Sequence, residues 1–224
     1  MSISSHIDHT LLKATARLAD VEKLCREAAE YGFASVCVPP PYVKRCKLML
    51  ASSGIKVTTV IGFPMGYSLI EAKRAEASLA LGDGADELDM VINLIALKNE
   101  DEDYLKKEIS AIVQITGQKN KVLKAIIETG ILSDDEIIRC CRLYAAAGVH
   151  FVKTSTGFAE KGATVKAVQL MRRYLPSEVK IKASGGIRTY AFAKELLEAG
   201  AERLGCSNSV TIIEEEKNSI NKIL

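Results

Sequence analysis

The chain has 224 residues, 48% of them hydrophobic, enough for a single domain with a sizeable core. Its 30 basic and 28 acidic residues leave a formal charge of +2, which gives no electrostatic reason to expect a nucleic-acid or membrane-surface partner. No apolar run reaches the roughly 20 residues a bilayer-spanning helix needs. The opening MSISSHIDHT lacks the basic and long apolar stretches of an export signal, so the expected location is the cytoplasm.

Taken in chain order, HIDHTLL (6–12) alternates as a strand. Its His6 and His9 are three apart, a spacing that suits a metal only on a helix. ADVEKLCREAAEYG (19–32) follows with helical spacing and stops at Gly32, a glycine suited to a helix C-cap. ASVCVP (34–39) and KVTTVIGF (56–63) read as strands, EAKRAEASLALGDG (71–84) as a helix and DELDMVIN (86–93) as a strand. The helix DYLKKEISAIVQITG (103–117) leads to the strand VLKAIIET (122–129). Ser133 stands as the N-cap of DDEIIRCCRLYAAAG (134–148). VHFVKTS (149–155), ATVKAVQLMRRYL (163–175), KIKASGG (180–186), TYAFAKELLEAG (189–200) and RLGCSNS (203–209) continue the alternation. The six cysteines form no CxxC pair, which predicts reduced, buried thiols.

Eight apolar strands alternating with helices predict a parallel βαβ series. In a chain of this length they favour a closed (β/α)8 barrel, residues 1–224, over an open sheet. Active sites in such barrels lie at the C-terminal ends of the strands, so polar residues there carry the functional reading.

Lys153 is the most informative of them. It sits in the apolar run HFVK, where burying an ammonium is costly. A desolvated lysine has a depressed pKa and can attack a carbonyl; a lysine that merely reaches solvent at the strand end is the plainer alternative. Lys182 on the next strand would stand close to it, and two like charges are expected to lower each other's pKa. Lys180 lies on the same alternation face, so the pattern alone does not choose between them. Asp89 lies within its strand, whereas Asp86 and Glu87 read as loop-proximal. It is the candidate for moving protons; a salt bridge, or a metal shared with Asp86 and Glu87, are the alternatives. Ser184-Gly185-Gly186 and Gly205-Cys206-Ser207-Asn208 follow the last two strands, where barrels of this kind often bind phosphate.

HIDHTLL, SVCV, TVIGFP, GADELDMVIN, LKAIIETG, FVKTSTGF, KASGGIRT and EAGAERLG together resemble the deoxyribose-phosphate aldolase family over nearly the whole chain. FVKTSTG and KASGGIRT behind ADELDMVIN are the specific part of the match. The resemblance implies a (β/α)8 barrel that reversibly cleaves 2-deoxy-D-ribose 5-phosphate to acetaldehyde and D-glyceraldehyde 3-phosphate. It implies Lys153 as the Schiff-base lysine and Asp89 and Lys182 as proton-relay partners, and so selects Lys182 over Lys180. It places Gly157, Gly185, Gly186, Ser207 and Asn208 at the phosphate. Asp8, Thr10, Cys37 and Thr154 would line the substrate pocket, and Lys124 would stand behind it. The family implies sugar-phosphate and aldehyde substrates, no cofactor or metal, and a homodimer or homotetramer. Pro39, Ile95 and Asn208 depart from the usual pattern. Phe158 stands where some members carry a phosphate-contacting lysine, a charge Lys161 is expected to supply. The tail NSINKIL lacks the terminal tyrosine that some relatives use in proton transfer, which bears on rate rather than reaction type.

Overall fold

In the computed structural model, which describes residues 2–221, eight parallel strands close into a barrel in sequence order. The strands are β1 (Ile7–Thr10), β2 (Ser35–Val38), β3 (Lys56–Ile61), β4 (Glu87–Val91), β5 (Val122–Ile126), β6 (Phe151–Lys153), β7 (Lys180–Ser184) and β8 (Arg203–Cys206). Around them lie α1 (Leu18–Tyr31), α2 (Val43–Met49), α3 (Ile70–Gly82), α4 (Leu94–Lys98), α5 (Glu102–Gln118), α6 (Asp134–Ala146), α7 (Val165–Tyr174), α8 (Tyr190–Glu198) and α9 (Ser209–Asn221). Among the described residues no helix is long and apolar enough to cross a membrane. The last three residues of the tail, where a terminal tyrosine would stand, lie outside the described residues.

All eight predicted strands form, each shorter than its apolar run. HIDHTLL pairs only from Ile7 to Thr10, and VHFVKTS only from Phe151 to Lys153. Beyond the paired residues, Leu11 and Leu12 line the cavity at the strand end, and Val149 joins the buried apolar layer ahead of β6. The helix signals hold closely. Gly32 caps α1 in the left-handed region at φ 65°, and Ser133 caps α6 in a reciprocal capping box with Glu136.

The strict alternation of each strand separates two interiors. Ile7, Val36, Leu88, Met90, Leu123, Val152, Ile181 and Leu204 face outwards and form one buried apolar layer with the inner faces of the helices. Their burial contributes about 1.5–3 kcal/mol per large side chain. The alternate set points into the barrel and is largely polar: Asp8, Ser35, Thr58, Glu87, Asp89, Lys124, Lys153, Lys182 and Arg203. The outer layer supplies the stability that lets the lumen hold ionised groups.

The six cysteines are buried free thiols. His9 faces outwards, with Nδ1 bonded to Ser209 and Nε2 to Glu27, while His6 meets the carbonyl of Glu202. Protein partners on separate elements therefore occupy both imidazoles.

Candidate active site

Lys153 Nζ lies 2.8 Å from Asp89 Oδ2, and Lys182 Nζ lies 2.7 Å from the same oxygen. Strand register explains the meeting. Lys153 pairs directly with Lys182 across β6 and β7, and Asp89 pairs with Lys124 across β4 and β5. Lys124 bonds the other Asp89 oxygen at 2.9 Å and also contacts Glu87. Lys182 reaches Asp8 at 2.5 Å, and Arg203 bridges Asp8 and Glu87 at 2.6 and 3.1 Å. Of these seven groups, six are buried and Arg203 is partly so.

The lumen thus holds three carboxylates, Asp8, Glu87 and Asp89, against four cations, Lys124, Lys153, Lys182 and Arg203. One cation is in surplus, and in a dry interior a surplus charge is the one most readily given up. Lys153 is that group. Burial pushes its pKa down, its single carboxylate Asp89 only partly compensates, and Lys182 pushes it down further. Burial would also lower Lys124, Lys182 and Arg203, but each faces at least two carboxylates and is held above its ordinary value. Burial alone would raise Asp8 and Asp89, yet the surrounding cations hold both well below the usual carboxylate range.

Two expectations need correcting here. The two lysines do not depress each other: Lys182, between Asp8 and Asp89, remains a fixed ammonium, and only Lys153 is lowered. Glu87 does stand next to the loop, as the first residue of β4, but it is not set apart from the site: it is buried in the lumen beneath Asp89. Its position two residues before Asp89, on the same strand face, was a usable signal. Lys180 shares the parity of Lys182 but stands exposed at the start of β7, so depth rather than face separates them.

A cavity of about 300 Å³ opens above Lys153 at the C-terminal ends of the strands. Lys153, Thr10, Gly157, Gly185, Gly186 and Ser207 line it. Asp8, Asp89, Cys37, Lys124 and Lys182 lie fully buried, outside its lining. Burial pushes the Cys37 thiol up to about 11. Thr154 points away from the cavity: its hydroxyl accepts from Ser184 N–H and donates to the Ser184 carbonyl, tying β6 to β7. Asn208 is exposed beside the cavity, its side chain bonded to Ser207. Lys161 is not in the lining. Lys13 and Arg188, which sequence reasoning missed, bring the cationic side chains of the rim. Phe158 stands at that rim edge-on to Phe63, ring centroids 5.2 Å apart. Ile95 is exposed on α4, and Pro39 precedes a short 3-10 turn at 40–42.

The loops after β6 and β7 approach backbone to backbone. A Cβ on Gly162 would lie 2.2 Å from the Gly185 carbonyl oxygen, so only glycine fits there. Among the described residues the N–H groups of Gly157, Gly185 and Gly186 donate no hydrogen bond within the chain. They are available at the cavity wall.

A closed eight-stranded parallel barrel with a cavity at the C-terminal ends of its strands defines a class, the (β/α)8-barrel enzymes. The sequence profile described as DeoC/LacD family aldolase matches residues 3–207. A deoxyribose-phosphate aldolase of Caldicellulosiruptor saccharolyticus is 53% identical over 96% of this chain and 98% of its own. One from Thermococcus gammatolerans is 50% identical over 98% of both chains. Among solved structures, a protein from Coccidioides immitis titled a putative deoxyribose-phosphate aldolase superimposes with a TM-score of 0.92 at 44% identity, covering 96% of this chain and 85% of that one. The tetrameric deoxyribose phosphate aldolase of Aeropyrum pernix gives 0.91 at 34% identity, covering 97% and 92%. The chain belongs to the DeoC/LacD family of aldolases, which are carbon–carbon lyases.

Proposed function

We propose that the protein reversibly cleaves 2-deoxy-D-ribose 5-phosphate into acetaldehyde and D-glyceraldehyde 3-phosphate, through an imine on Lys153. The observation that carries the reading is the surplus cation: of the four cations in the lumen, Lys153 alone has its charge disfavoured, and it alone lines the cavity. A neutral amine facing the open cavity is what carbonyl attack requires.

In the cleavage direction the Lys153 amine attacks C1 of the open-chain sugar, and loss of water gives an iminium. The C3 hydroxyl loses its proton, the C2–C3 bond breaks, and its electron pair moves into the iminium to leave an enamine. Glyceraldehyde 3-phosphate departs. Protonation of the enamine at C2 and addition of water then release acetaldehyde and the free amine. Asp89 and Lys182, hydrogen-bonded to each other and, through Asp89, to Lys153, carry the protons. Asp8, Glu87, Lys124 and Arg203 hold that pair in place and set its charge.

The phosphate is read by the loops that follow β6, β7 and β8. The free N–H groups of Gly157, Gly185 and Gly186 suit an oxyanion, with Ser207 beside them and Lys13 and Arg188 at the rim. The curated relatives carry this activity in their names. The tetramer of the Aeropyrum pernix relative supports a homo-oligomer here too.

The test is product analysis. With 2-deoxyribose 5-phosphate the protein is expected to release acetaldehyde and glyceraldehyde 3-phosphate in equal amounts. Cleavage of a longer sugar phosphate, with none of the deoxyribose compound, would assign a different aldol substrate. Tight binding of the sugar phosphate with no acetaldehyde would reduce the protein to a binder.

A further inference from the structure

Glu128 lies just beyond β5 and is 3% exposed. Its backbone is left-handed, with φ 57° and ψ 58°. Two other non-glycine residues among those described share a positive φ, Glu100 and Asn120, and both are exposed in surface loops. A buried residue held in this sparsely populated region needs its surroundings to fix it, and such residues concentrate at functional sites.

Hydrogen bonds on both sides fix Glu128 in place. The N–H groups of its neighbours Ile127 and Thr129 donate to the carbonyls of Lys153 and Thr154, at 3.0 and 2.7 Å. The carboxylate itself turns to the loop after β6. It accepts the Thr156 N–H at 3.2 Å and the Thr156 hydroxyl at 2.5 Å. The same hydroxyl accepts the N–H of Phe158 at 3.1 Å. The amides on either side of Gly157 are thereby engaged, and the Gly157 N–H between them has no partner within the chain. Thr156, Gly157 and Phe158 all line the cavity.

We infer that Glu128 is a positioning residue: through Thr156 its carboxylate sets the turn at 156–158 so that the Gly157 N–H faces the phosphate end of the substrate. The inference rests on the phosphate reading given above. Glu128 is not in the cavity lining, and it is too constrained by Thr156 to serve as a free base. A carboxylate is the apt group, because it accepts from an N–H and an O–H of one residue at once, and charge-assisted bonds of this kind are the stronger ones.

The test compares 2-deoxyribose 5-phosphate with unphosphorylated 2-deoxyribose. Glu128→Gly removes the carboxylate while a glycine keeps the left-handed backbone without strain. It is expected to raise KM for the 5-phosphate on the order of tenfold. kcat, and kcat/KM for the unphosphorylated sugar, should each move less than about threefold. Thr156→Val, which deletes the bridging hydroxyl at nearly constant volume, is expected to show the same split and carries the test if the glycine variant fails to fold. Equal losses on both sugars, or none on either, in a folded variant would overturn the positioning role. If the unchanged protein itself shows no preference for the phosphorylated sugar, the phosphate reading falls, and this inference with it.

Discussion

Replacing Lys182 with methionine is expected to lower turnover of the sugar phosphate at neutral pH at least about a hundredfold, and by less as the pH is raised. The reason is the charge count in the lumen. Without Lys182, three carboxylates face three cations, and the lumen balances only while Lys153 keeps its proton. The sign follows from what surrounds Lys153. Burial and Lys182 both lower it and Asp89 raises it, so removing Lys182 moves its pKa upwards. The acidic limb of the pH–rate profile should move up with it, since the reactive amine is the unprotonated form. Asp8 keeps Arg203 and Ser35 on Oδ1 and Lys124 at 3.9 Å from Oδ2, and Asp89 keeps Lys124 and Lys153, so each carboxylate retains a cation and the fold should persist. Steady-state rates from pH 6 to 10, with thermal melts of the same samples, check this. Turnover close to that of the unchanged protein at pH 7 would contradict the account. A deficit equal at every pH would assign Lys182 to proton transfer alone and remove its charge role.

Asp89→Asn is expected to separate imine formation from turnover. Asp89 accepts from Lys124, Lys153 and Lys182 together, at 2.9, 2.8 and 2.7 Å. The amide would leave two carboxylates against four cations. That costs about 3–5 kcal/mol of stability, the usual penalty for stripping one partner from a buried ionic cluster. Lys153 would lose its only carboxylate partner and become easier still to deprotonate, so it should still condense with the substrate. The proton traffic would fail, with turnover down about 10²–10⁴-fold. Denaturant melts, rate measurements and borohydride reduction on the same sample distinguish these effects. A folded variant with near-normal turnover would remove Asp89 from the proton path. One that forms no imine would show that the carboxylate is needed to present the amine.

The barrel was legible because its signal is periodic and local. Eight short runs, most of them rich in β-branched residues, alternate with amphipathic helices, and Gly32 and Ser133 mark helix ends through chemistry that needs no tertiary context. The short helices α2 and α4, of seven and five residues, were not read, because so few residues carry no period. Lys153 and Asp89 were visible as charges inside apolar strands. The state of Lys182 was not, because Asp8 lies far away in the sequence on β1, and only closure of the barrel brings the two together. Arg203 was hidden for the same reason: its partners come from β1 and β4. Thr154 was carried into the pocket by its motif, but strand alternation turns it away once Lys153 faces the lumen. Glu128 has no local signal, since its role exists only through Thr156 on the next strand's loop.

Reductive trapping followed by peptide mapping tests the central claim most directly. Treating the protein with borohydride in the presence of 2-deoxyribose 5-phosphate or acetaldehyde should inactivate it and leave one adduct, on the peptide carrying Lys153. No adduct, or an adduct on Lys182 or Lys124 with Lys153 unmodified, would contradict the assignment of Lys153 as the amine that the lumen leaves neutral.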